Sequence, residues 1–72
     1  MSDPMRYVVV YERTTNGWSA YIPDLPGCVA AGDTRSEVEL LMREAVALHI
    51  ESLRGAGETV PPPGSWTSLV EV

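Results

Sequence analysis

The chain contains no lysine, one cysteine, one histidine and no long apolar run among its 72 residues. Each scarcity removes a class of protein. A lone Cys28 excludes an internal disulfide and a cysteine-based zinc site, and it fits a reducing compartment. His49 is the only imidazole and lies far from Cys28 in sequence, so the usual metal-ligand spacings are missing too. All five positive charges are arginines, dispersed along the chain against ten carboxylates, for a formal net charge of −5. Such a balance cannot neutralise a run of phosphates; direct nucleic-acid binding is not expected, whereas attraction to a basic partner is. No segment reaches the ~18 apolar residues of a membrane span. The start, "MSDPMRYVVVYER", lacks a basic region followed by an apolar run, so no signal peptide is expected and the expected location is the cytoplasm. The glycines form neither a G-x-G-x-x-G nor a Walker pattern, so no nucleotide cradle and no cofactor is expected.

What is present reads as one small α+β domain. Residues 1–4 read as a loose leader and 5–72 as a single domain. "MRYVVVYER" is rich in β-branched and aromatic residues and reads as a strand. Asn16-Gly17 suits a two-residue turn with positive φ, which would set Thr15 opposite Trp18, Arg13 opposite Ala20 and Tyr11 opposite Ile22. One sheet face then carries Tyr7, Val9, Tyr11, Trp18, Ala20 and Ile22, the better candidate for helix cover. The other carries Val8, Val10, Glu12, Ser19 and Tyr21. Pro23 and Pro26 stop the second strand, Gly27 permits a reversal, and "CVAAG" reads as a third strand.

Thr34 to Glu37 matches a capping box, with Asp33 as a competing cap, and a helix should run from Arg35 to Arg54 and end at Gly55. Its apolar stripe is Val38, Leu41, Met42, Ala45, Leu48, His49 and Leu53. Leu40 falls almost opposite that stripe and Ile50 to one side. "GAGETVPPPGS" breaks the helix, Pro61 to Pro63 form a stiff spacer, and "WTSLVEV" alternates as a fourth strand would. The expected order is β-β-β-α-β: a three-stranded antiparallel meander plus a C-terminal strand, with one helix on one face.

Catalytic groups are sparse. His49 sits within the apolar stripe, where a packed histidine is the expected role, and no serine has a nucleophile context. Cys28 is six residues before the Thr34 cap and reads as a small buried hydrophobe rather than a thiolate. Glu12, Asp24 and Glu44 are the carboxylates that could gather around magnesium, which keeps a vestigial metal-dependent nuclease as an alternative reading. Solvated surface charge is the expected reading of all three, so the chain is not expected to be an enzyme.

"WSAYIPDLPGC", then "GDT", then an acidic amphipathic helix, resembles the HicB-like antitoxin family from about Met5 to Ser65; "HIESLRGAGETVPPP" resembles its helix end. The resemblance implies a degenerate ribonuclease-H-like fold without catalytic carboxylates. It also implies neutralisation, by occlusion, of a HicA-type toxin, a small basic ribonuclease that cuts mRNA. Many members add a C-terminal DNA-binding domain; after "WTSLVEV" none follows here, so operator binding is not expected. An orphan interaction domain without a toxin is the other alternative.

Glu12, Tyr21, Asp24 and Leu25 are the candidate partner-binding residues. A single helix covers one sheet face, which leaves Val8 and Val10 without cover. With Leu40, Ile50 and Trp66 they are the candidate self-association residues of a homodimer or larger assembly.

Overall fold

The computed structural model describes residues 5–72; the leader expected at 1–4 lies outside them. Three strands, β1 (Val10–Arg13), β2 (Trp18–Tyr21) and β3 (Val29–Gly32), precede one helix, α1 (Arg35–Gly55). The strands form an antiparallel meander in the order β1-β2-β3, and α1 packs across β2 and β3 on one face. This is the α+β arrangement that the alternating strand pattern and the single amphipathic helix require.

The β1–β2 register is slipped by two residues from the expected one. Tyr11 faces Ala20 and Arg13 faces Trp18, and the Thr14 N–H donates to the Gly17 carbonyl at 2.9 Å. The reversal therefore falls on Thr15 and Asn16, and Gly17 does not adopt positive φ. Gly17 is demanded by proximity instead: a Cβ there would overlap the carbonyl oxygen of Gly32 at the end of β3. Because the slip is even, side-chain alternation is untouched. Tyr7, Val9, Tyr11, Trp18 and Ala30 all pack against the core on the helix side, as their parity predicts. The Arg13 guanidinium also covers its cross-strand neighbour, 5.3 Å from the Trp18 ring centroid.

The proline-rich corner is two consecutive four-residue turns sharing Leu25. The Leu25 N–H donates to Ile22 (3.1 Å) and the Cys28 N–H donates to Leu25 (3.0 Å). Pro23 and Pro26 take the second position of each turn, where a fixed φ near −65° is favourable. Gly27 takes the third position of the second turn with φ of 87°, the left-handed value that a type II turn needs. The Ile22 N–H to Cys28 carbonyl bond (3.2 Å) closes the loop and aims Leu25 inward.

Helix α1 starts as its sequence requires, with one exchange of partners. The Thr34 side chain accepts from the Glu37 N–H at 3.1 Å, while the Glu37 carboxylate accepts from the Asp33 N–H at 3.2 Å. At the far end α1 stops at Gly55 as expected, and the residue that turns the chain is Gly57. Gly57 is left-handed (φ 73°), its N–H donates to Arg54, and the Glu58 N–H donates to Leu53: a Schellman arrangement.

The core comprises Ala20, Ile22, Leu25, Cys28, Val38 and Met42. The buried helix row continues at intervals of four, from Val38 and Met42 to Val46 and Ile50. Two expectations change accordingly. Leu48, placed in the apolar stripe, is 66% exposed, and Ile50, placed to one side, packs against the core. The helix lies off-centre over β2 and β3, and this rotates the row that faces the sheet.

The expected fourth strand is not formed. Residues 58–72 have no regular structure, and Trp66, Leu69, Val70 and Val72 are exposed. The chain is held elsewhere. The Tyr7 hydroxyl donates to the Pro61 carbonyl at 2.6 Å, and Asp24 captures Gly64 and Ser65. Three prolines without N–H groups could not have joined a ladder on the way.

Candidate functional site

The sheet face away from α1 is the open surface of the molecule. The two registers align Val10, Tyr21 and Val29 in one cross-strand row, and Glu12, Ser19 and Ala31 in the next. Tyr21 (41%) and Val29 (63%) are exposed, Val10 is half-buried, and Val8 extends the same face by parity. The face thus has an apolar half near the corner and a polar half, bearing Glu12, near the hairpin tip. Nothing in it resembles a reaction centre. Its exposed groups are aromatic and aliphatic with a carboxylate at the margin, a composition of the kind found at protein–protein contacts.

Asp24 lies at the apolar end of this face but is already engaged. Its carboxylate accepts from the Gly64 N–H (3.0 Å), the Ser65 N–H (3.0 Å) and the Ser65 hydroxyl (3.1 Å). The Gly64 and Ser65 backbone donors, with the hydroxyl, hold its pKa below the ordinary value against the opposing effect of burial. Asp24 is therefore a clasp for the C-terminal segment. Leu25, expected among the partner contacts, is fully buried and is corrected to a core residue. Ile50 is likewise corrected from a free self-association residue to one packed on the core. Leu40 and Trp66 are exposed, at 58% and 83%, and remain free to make contacts.

The groups considered for catalysis stay apart in role and place. Glu12 is on the outer sheet face, Asp24 is clasped to the tail, and Glu44 is exposed on α1. Among the described residues no three His, Cys, Asp or Glu side chains converge as a metal site would require. His49 rests against the corner: a Cβ added at Gly27 would stand 3.8 Å from its Cε1. Cys28 is buried, and burial pushes its thiol pKa up, away from a reactive thiolate. Val29, Gly64 and Ser65 were not marked by the sequence reading. No local signal marks Gly64 and Ser65, because the Asp24 contact to Ser65 spans 41 residues of chain.

A three-stranded antiparallel meander backed by one helix, with one sheet face left open by that helix, defines a small α+β domain. Residues 7–71 match the family described as HicB-like antitoxin of bacterial toxin-antitoxin system, and the chain belongs to that family. It is 40% identical over 57 residues to an uncharacterised 14.9 kDa protein of Haemophilus phage HP1, covering 79% of this chain and 43% of the phage protein. It is 32% identical over 73 positions to Antitoxin HicB 2 of Photorhabdus laumondii, covering all of this chain and 52% of that one. The chain thus spans about half the length of these two curated relatives. Among solved structures, a chain of a HicA3 and HicB3 toxin-antitoxin complex superposes with a TM-score of 0.70 at 37% identity, over 82% of this chain and 70% of that one. Among the described residues no helix is long and apolar enough to cross a membrane.

Proposed function

We propose that residues 5–72 act as a single domain that neutralises a small basic HicA-type ribonuclease in the cytoplasm by covering its RNA-binding surface. The observation that carries this reading is the likeness to a chain of a solved HicA3 and HicB3 complex, within a family of antitoxins. The open sheet face supplies the contact. Tyr21 and the Val10–Val29 row bury against the toxin, while Glu12 stands at the margin. The net charge of −5 favours encounter with a basic protein and disfavours RNA itself. No step of this function needs a metal, a cofactor or a nucleophile of this chain. We further propose that the domain works as a homodimer or larger assembly.

The test is inhibition of a purified HicA-type ribonuclease, read as cleavage of single-stranded RNA. The wild-type domain abolishes cleavage at equimolar ratio. Tyr21→Asp weakens inhibition strongly, and Glu12→Arg slows association in a salt-dependent manner. Full cleavage in the presence of excess folded domain refutes the reading; inhibition indifferent to both substitutions refutes the assigned face.

A further inference from the structure

A groove of about 660 Å³ runs between β1 and α1. It exists because α1 sits over β2 and β3, leaving the helix-side face of β1 partly roofless. Tyr7, Val9 and Tyr11 form its floor, and Met42, Val46 and Ile50 its wall. Arg43 and Glu39 stand at its rim. Glu39 is engaged by Arg35 at 3.3 Å, whereas Arg43 has no carboxylate within ion-pair distance among the described residues. Among the described residues, none of the C-terminal segment lines the groove, and the outer backbone groups of the edge strand β1 have no partner.

The same chain carries a segment without a partner. "WTSLVEV" alternates as a strand does, and its Trp66, Leu69, Val70 and Val72 are exposed. Its own groove is not where it is sent. From Pro61 beside Tyr7, three residues ahead of β1, the chain crosses to Asp24 beyond the end of β2, away from the free edge of β1.

We propose that residues 66–72 of one copy add as a strand to the β1 edge of a second copy and fill its groove. The direction follows from charge and alternation. The corner lies by His49, and the β3 end lies by Glu37, whose Cδ would stand 3.0 Å from a Cβ at Gly32. Moving along β1 from corner to hairpin tip therefore passes Ile50, Val46 and then Arg43. A tail running the same way as β1 sets Leu69 beneath Val46 and brings Glu71, two residues on, to Arg43. Residues two apart on a strand advance roughly 6.6 Å, and Val46 and Arg43 are roughly 4.5 Å apart along a helix axis; flexible side chains bridge the difference. On the opposite face, Trp66 and Val70 extend the apolar patch of Val8 and Val10. Each copy has one tail and one groove, so a reciprocal exchange closes at two copies. This assignment does not depend on the toxin reading.

Light scattering at high micromolar concentration reads the proposal directly. The expected mass is twice the 7.8 kDa of the chain. A chain ending at Ser65 keeps the Asp24 clasp and every core residue, and falls to the monomer mass. Arg43→Glu and Glu71→Arg each lower the dimer fraction, and their combination restores it. A monomeric wild-type chain, a dimer that survives removal of the tail, or failure of the paired charge reversal to rescue overturns the proposal. A monomer would leave the groove to a segment of another protein.

Discussion

The carboxylate of Asp24 grips Ser65 twice, at its backbone N–H (3.0 Å) and its hydroxyl (3.1 Å), across 41 residues of sequence. This contact turns the proline-rich corner into an anchor for the C-terminal segment. Leu25, the next residue, faces the other way and is fully buried. Adjacent positions in one turn thus divide the work: one fixes the core, the other fixes the tail.

Asp24→Ala should release the tail without unfolding the core. Amide exchange at Gly64 and Ser65 is expected to accelerate while Val38 and Met42 remain protected. The pH dependence has a definite sign. The folded pKa lies below the ordinary 3.8, so the clasp is fully stabilising above that value and is lost as pH falls through the lower folded one. The protection factor of the Ser65 amide, which removes the pH dependence of intrinsic exchange, should therefore be high at neutral pH and fall only in acid. An unchanged Ser65 protection factor in Asp24→Ala would contradict the clasp.

Leu25→Ala should cost about 2–5 kcal/mol, because it empties a fully buried site where the two turns and the helix meet. Leu40→Ser, on the exposed helix face, should stay within about 0.5 kcal/mol for the isolated domain. Urea unfolding of both variants checks the contrast. Equal midpoints would mean that Leu25 is not the core residue described.

Two glycines should fail for different reasons. Gly17→Ala pushes a methyl into the Gly32 carbonyl and is expected to cost about 1–3 kcal/mol, the range of overpacking. Gly57→Ala meets open space but must hold a left-handed backbone, at about 1–2 kcal/mol. Replacement of Gly57 by Asn, which tolerates that conformation, should recover part of the loss, whereas Gly17→Asn should not. Identical behaviour of the two Asn variants in thermal unfolding would defeat this distinction.

The purified chain should leave single-stranded RNA and RNA–DNA hybrid intact in magnesium. Glu12, Asp24 and Glu44 do not converge, and Asp24 is occupied by the tail. Cleavage that vanishes in Glu12→Gln or Asp24→Asn would reinstate the nuclease reading.

Much of this molecule can be read locally. Strand parity assigns Tyr21 and Glu12 to the open face before any register is known, since alternation survives an even slip. The Pro-Asp-Leu-Pro-Gly run specifies two turns, and Thr34 to Glu37 specifies a helix start, because each acts through dihedral limits and hydrogen bonds spanning three or four residues. Leu25 was misassigned for the same reason: turn chemistry places the residue but does not say which side of the turn meets the core.

By itself, then, the amino-acid sequence determined the order of the first four elements, the faces of the strands, the corner and the helix start, but not the fate of the tail, which reads there as a fourth strand. Tertiary structure alone decided the hairpin register, through the approach of Gly17 to Gly32, and the helix row that is buried, through the off-centre seat of α1. It also decided the course of the tail, through Asp24 and Ser65. The physical reason is range. Periodicity and dihedral preference act within a turn or two of chain, whereas these three outcomes compare contacts between segments that meet only once the fold has closed.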